Sequence, residues 1–111
     1  MKAKEQIPTR TEVKPLGELL KYQDSSIVSR VLLKNNGGTV TLFAFDQGEG
    51  LSEHTAPFEA LVFVVDGEAE VEIAGEVYSV RSGETITLPA NVPHAVRAAA
   101  RFKMLLTMIR A

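Results

Sequence analysis

GEGLSEHTAPFEALVFVVDG, residues 48–67, sets a histidine, a proline, three glutamates and an unbroken apolar run between two glycines. Within it ALVFVV, residues 60–65, is too short for a core helix and rich in β-branched and aromatic side chains, so it reads as a strand. Its two parities, Ala60, Val62, Val64 and Leu61, Phe63, Val65, are both apolar, which predicts burial on both faces. Residues 52–56 read as a short strand leading to a corner at Pro57. Asp66-Gly67 supplies the positive φ of a tight turn and predicts a hairpin. A second cluster, GETITLPANVPH at residues 83–94, carries the other of the chain's two histidines in a similar frame of glycine and proline. The two clusters together predict one pocket.

Outward from these clusters the same pattern continues. EAEVEI, residues 68–73, alternates Glu68, Glu70 and Glu72 toward water with Ala69, Val71 and Ile73 toward a core. Turns at Ala74-Gly75 and Ser82-Gly83 bound a strand over 76–80. Residues 84–89 and 94–98 form further strands around a corner at 91–93, and 102–109 form the last. Upstream, residues 27–33 and 39–45 read as strands joined by a turn at NNGG, residues 35–38. Residues 16–22, LGELLKY, are too short for periodicity to choose between a helical turn and a strand.

Eight or nine short strands with turns between them, and no convincing long helix, predict an all-β barrel or sandwich. The want of crossover helices excludes a parallel α/β fold. A chain of 111 residues is expected to form one domain and to bury about two-thirds of the surface its unfolded form exposes. The division expected is an arm over 1–25, polar and holding Pro8 and Pro15, followed by one barrel over 26–111.

A net charge of -2 carries no electrostatic footprint for nucleic acid. Lys2, Lys4, Arg10 and Lys14 gather near the N-terminus and read as a solvated arm. The absence of cysteine leaves neither disulfide nor thiol nucleophile. With no signal-like apolar run and no stretch of membrane-spanning length, a cytoplasmic protein with no membrane partner is expected.

The two clusters resemble the paired sequence motifs of the cupin superfamily. Gly48, His54, Pro57 and Gly67 match the first motif, whose second histidine is replaced by Ala56 and whose glutamate is replaced by Ala60. Gly83, Pro89 and His94 match the second, with Asn91 in place of a glycine and Ala98 in place of an asparagine. The resemblance covers roughly residues 40–108. It implies a double-stranded β-helix, or jelly-roll barrel, and in metal-binding members a divalent ion (iron, manganese, zinc or nickel) held by three histidines and the glutamate.

Carried over residue by residue, that ligand set keeps only His54 and His94. A third ligand would have to come from Glu59, Glu53 or Gln47. Parity works against Glu59, which alternates away from the lost ligand position, unless a bulge after Pro57 re-aims it. Two imidazoles fall short of the three or four protein ligands usual for zinc or non-haem iron. A pocket without metal is the competing expectation.

Alanine at 56 and 60 makes the pocket more apolar, suited to an unknown small organic molecule. Its expected lining is His54, His94, Ala56, Ala60, Val62, Val96, Phe43, Phe45 and Met104. Two readings follow: a small-molecule-binding barrel with a reduced metal site, or a metal-dependent enzyme of dioxygenase, isomerase or decarboxylase type using His54, His94 and a nearby carboxylate. Finally, two-faced apolar strands leave a face to be covered. The expectation is a homodimer, with the arm crossing to a second copy; the alternative is that the arm covers the face within its own subunit.

Overall fold

Short runs rich in β-branched residues, punctuated by Gly, Asn and Pro, leave the backbone no regular partner except neighbouring strands. The computed structural model describes residues 11–110 and shows eight strands among them: β1 (Ile27–Asn35), β2 (Gly38–Phe45), β3 (Gly50–His54), β4 (Glu59–Ile73), β5 (Glu76–Arg81), β6 (Thr85–Leu88), β7 (His94–Arg97) and β8 (Phe102–Ile109). All pairings are antiparallel. One layer, sheet A, runs β1-β2-β8-β4-β6, and the other, sheet B, runs β3-β7-β4-β5. The fold is a jelly-roll barrel: the strand pattern predicts its all-β architecture, and the motif resemblance implies its form.

β4 joins the two layers, and here the sequence reading needs correcting. Asp66-Gly67 is not a hairpin: β4 continues through it for 15 residues. Against β8 the register slips by one residue, Val64 pairing Met104 while Asp66 pairs Lys103. This bulge inverts the parity of the strand. Before it Val62 and Val64 face the core, and after it Ala69 and Val71 do. Gly67 sits in the left-handed region at φ 79°, and an added Cβ would lie 2.3 Å from the Arg101 carbonyl oxygen. Asp-Gly therefore carries the strand past β8 and into sheet B, using the same conformational freedom that a reversal would have used.

The core lies between the layers. Phe45 and Phe102 stack with centroids 4.5 Å apart and planes 9° from parallel, and Val62, Val64, Val71, Val96 and Met104 close around them. The other predicted strands form close to their expected bounds, except that β3 comes earlier than 52–56, because Gly50 approaches β7 so closely that a Cβ there would meet the Val96 carbonyl at 2.5 Å.

The segment before β1 lies on the outer face of sheet A. Its one regular element among the described residues is a 3₁₀ turn, Leu16–Glu18, which answers the question the sequence left open. Arg30 donates to the Leu19 carbonyl and Lys103 to the Gly17 carbonyl. Their strand neighbours Leu42 and Ala44 are wholly buried although they stand outside the main core cluster. Residues 17–22 therefore rest on part of this face. The basic residues Lys2, Lys4 and Arg10, with Pro8, lie outside the described residues. No helix among the described residues is long and apolar enough to cross a membrane.

Candidate functional site

β3 and β7 pair at the edge of sheet B, and their register sets His54 opposite His94. Leu51 and Val96, paired in the same ladder, belong to the core side, which fixes the inward direction of both histidines across the irregularity between Leu51 and His54. The imidazole rings meet edge to face, with centroids 4.4 Å apart and planes at 68°. His94 is buried at 7% exposure, whereas His54 stands open to solvent.

Both rings are oriented by a device that the sequence reading did not foresee. His54 Nδ1 lies 2.7 Å from the Ser52 carbonyl oxygen, and His94 Nδ1 lies 3.2 Å from that of Val92. A carbonyl only accepts, so Nδ1 carries the hydrogen in each ring and, in the neutral form, Nε2 keeps the lone pair. The signal was local: each acceptor lies two residues before its histidine, on an irregular or turning backbone. A second backbone link ties the motifs together, the Asn91 N–H donating to the Ala56 carbonyl at 2.7 Å. Asn91 has φ 64°, so the residue standing in for the motif glycine adopts the conformation that asparagine tolerates best among non-glycine residues.

The remaining predicted lining residues separate into two groups. Val62, Val96, Phe45 and Met104 are sealed in the core, while Ala56, Ala60 and Phe43 are half-buried. Ala60 pairs with Leu88 and Met108 on the inward parity of β4. Glu59 pairs with Ile109 on the opposite parity, and the only register shift in this pairing comes later, between Val64 and Asp66. Glu53 borders a surface groove with Glu70 and Glu72 on the outer side of sheet B, and Gln47 is exposed in the turn after Asp46. Among the described residues no group of three or more His, Asp or Glu side chains is placed to hold a metal. The donor set is two imidazole nitrogens with alanines where an imidazole and a carboxylate would stand, and it does not fit an ion held by protein ligands alone.

Away from the histidines, charged groups lock the arm to the barrel. Arg101 donates to Asp46 at 2.7 Å and to Asp24 at 2.8 Å. The Arg101 hydrogen bond, helped by the N–H groups of Ser25 and Gln47, holds the Asp46 carboxyl down to about 2. Tyr22 donates to Asp66 and lies between Arg101 and Lys103, whose charged groups are 5.2 and 4.9 Å from its ring centroid. Burial, and then the Asp66 carboxylate, push the Tyr22 hydroxyl well above the ordinary tyrosine range.

Comparison with known proteins agrees with this architecture. A conserved protein of unknown function from Streptococcus pyogenes, known from its crystal structure, is 32% identical with a TM-score of 0.88, the match covering 94% of this chain and 91% of that one. The polyketide synthase CurC of Streptomyces cyaneus is 30% identical over 73 residues, 65% of this chain and 47% of that protein. A 5-nitrosalicylic acid 1,2-dioxygenase from a Bradyrhizobium species is 43% identical over 51 residues, 46% of this chain and 25% of that protein. The chain thus spans less than half the length of either of these two relatives. Residues 41–109 match the cupin domain family, and the chain belongs to it.

Proposed function

We propose that this chain is a small-molecule-binding cupin in which His54 and His94 form the polar pole of the site, without a full set of protein ligands for a metal. The observation that carries this reading is the edge-to-face imidazole pair, fixed by the Ser52 and Val92 carbonyls and joined by no carboxylate among the described residues into a metal-holding group. Such a pair offers hydrogen-bond acceptors at Nε2 in the neutral state and donors once protonated. With Ala56, Ala60 and Phe43 only half-buried, it suits a small, mostly apolar molecule that bears an acidic group.

The Bradyrhizobium relative is named for action on a nitrosalicylic acid, which makes hydroxybenzoic acids the first probes. The test is two-dimensional NMR of the imidazole resonances in metal-free buffer, titrated with salicylate and a panel of other small aromatic acids. Saturable shifts of both histidines, lost in His94→Ala, are expected. A panel that leaves both imidazoles unmoved would overturn the reading.

The name of that relative also favours a second reading, a metal-dependent enzyme using His54, His94 and a carboxylate. It requires Glu59 or Glu53 to leave the placement described above.

A further inference from the structure

Met104, Leu106 and Met108 lie on one parity of β8, opposite Val64, Val62 and Ala60 of β4. Exposure rises along that row: Met104 and the two valines are sealed, whereas Leu106, Met108 and Ala60 are half-buried. The inner wall of sheet A therefore opens toward the end of the barrel where Ala60 stands. One further step along both strands brings Phe58 and Arg110 together, the guanidinium carbon lying 5.2 Å from the centroid of the half-buried ring. The backbone N–H of Arg110 donates to the Gly37 carbonyl at 2.8 Å, which fixes the base of this exposed side chain. The histidine motifs reach the same end. His54 is four residues before Phe58, at most roughly 14 Å of extended chain, and Ala56 between them receives the Asn91 N–H that ties in the motif of His94.

From this arrangement we infer that Arg110, held against Phe58, binds the carboxylate of the ligand, an assignment that rests on the small-molecule reading above and narrows its ligand class to carboxylic acids with an apolar body. The pairing of the other arginines singles Arg110 out. Arg30 donates to the Leu19 carbonyl, Arg81 pairs with Glu68, Arg97 with Glu70, and Arg101 with Asp24 and Asp46. Among the described residues Arg110 alone of the arginines meets an aromatic ring and no oxygen acceptor. A ring occupies only the face of a guanidinium, so the N–H fork in its plane stays open to the two oxygens of a carboxylate. Beside the cation runs the opening wall of Phe58, Ala60, Leu106 and Met108, against which the apolar body of such an acid lies. With the charge met by Arg110, neutral imidazoles suffice at the other pole, accepting at Nε2 from a hydroxyl of the ligand.

NMR titration of the full chain in metal-free buffer tests this, following the Arg110 side-chain N–H together with the imidazole resonances. The probes are salicylate and salicylamide, which lacks the charge. Salicylate is expected to shift Arg110 and both histidines saturably and to bind more tightly than salicylamide. Arg110→Gln should weaken salicylate by about ten- to a hundredfold and leave salicylamide unchanged. Phe58→Leu, which removes the ring beneath the guanidinium, should also weaken salicylate more than salicylamide. Arg97→Gln, paired with Glu70 on the outer side of sheet B, should change neither and so controls for net charge. Salicylate that shifts the imidazoles yet binds Arg110→Gln as well as wild type would overturn the inference and leave the small-molecule reading standing. Aromatic acids that move neither Arg110 nor the imidazoles would overturn both.

Discussion

Across the β3–β7 ladder His54 is the register partner of His94, and their rings meet edge to face with centroids 4.4 Å apart. Backbone pairing alone brings the two motifs of the chain to one place. What they bring there is a pair of imidazoles rather than a ligand sphere.

Restoring the donors that Ala56 and Ala60 replace should therefore strengthen metal binding at the histidine pair. Ala56→His combined with Ala60→Glu is expected to raise zinc or iron affinity by at least about a hundredfold, roughly 2.8 kcal/mol. Competition against a chromophoric chelator measures it. Native affinity equal to that of the double variant would show that the wild-type donor set is already complete.

Acid should loosen the arm. The Asp46 carboxyl is held at about 2, below its ordinary value of 3.8, chiefly by Arg101. A carboxyl depressed in the folded state adds stability above its unfolded pKa and loses it as pH falls through the folded one. Asp46→Asn should accordingly melt below wild type at neutral pH, and the gap should close between about pH 4 and pH 2. Thermal melts of both proteins across that window check it, and a gap that stays constant with pH would refute the assignment.

The bulge in β4 is expected to be intolerant of a side chain. Gly67→Ala combines φ 79° with a Cβ 2.3 Å from the Arg101 carbonyl oxygen. It should cost more than about 1 kcal/mol. Gly75→Ala has a similar φ of 86° but meets nothing within 4 Å, so it should cost less. Urea denaturation of the two variants ranks them, and equal losses would assign the effect to φ alone.

These cases show how far the residues could be read without coordinates. Strand positions were legible because β-branched runs and turn residues act locally, and Glu68 to Ile73 kept its predicted in-out alternation. Asp66-Gly67 misled because a positive φ serves a bulge as well as a reversal, and the choice depends on β8, some 35 residues away in sequence. At the site, the meeting of His54 and His94 followed from motif spacing. Their orientation did not, since it rests on main-chain carbonyls that no side-chain pattern encodes. The latch of Tyr22, Asp66, Arg101 and Lys103 was likewise hidden, its members being far apart in sequence and ordinary in type.

The most direct test of the central claim is the metal content of protein purified without chelator. With two imidazoles and no third protein ligand placed beside them among the described residues, iron, manganese, zinc and nickel should each fall well below one per chain, with no rise in melting temperature on adding them. One equivalent of any of these metals, lost in both His54→Ala and His94→Ala, would contradict the account.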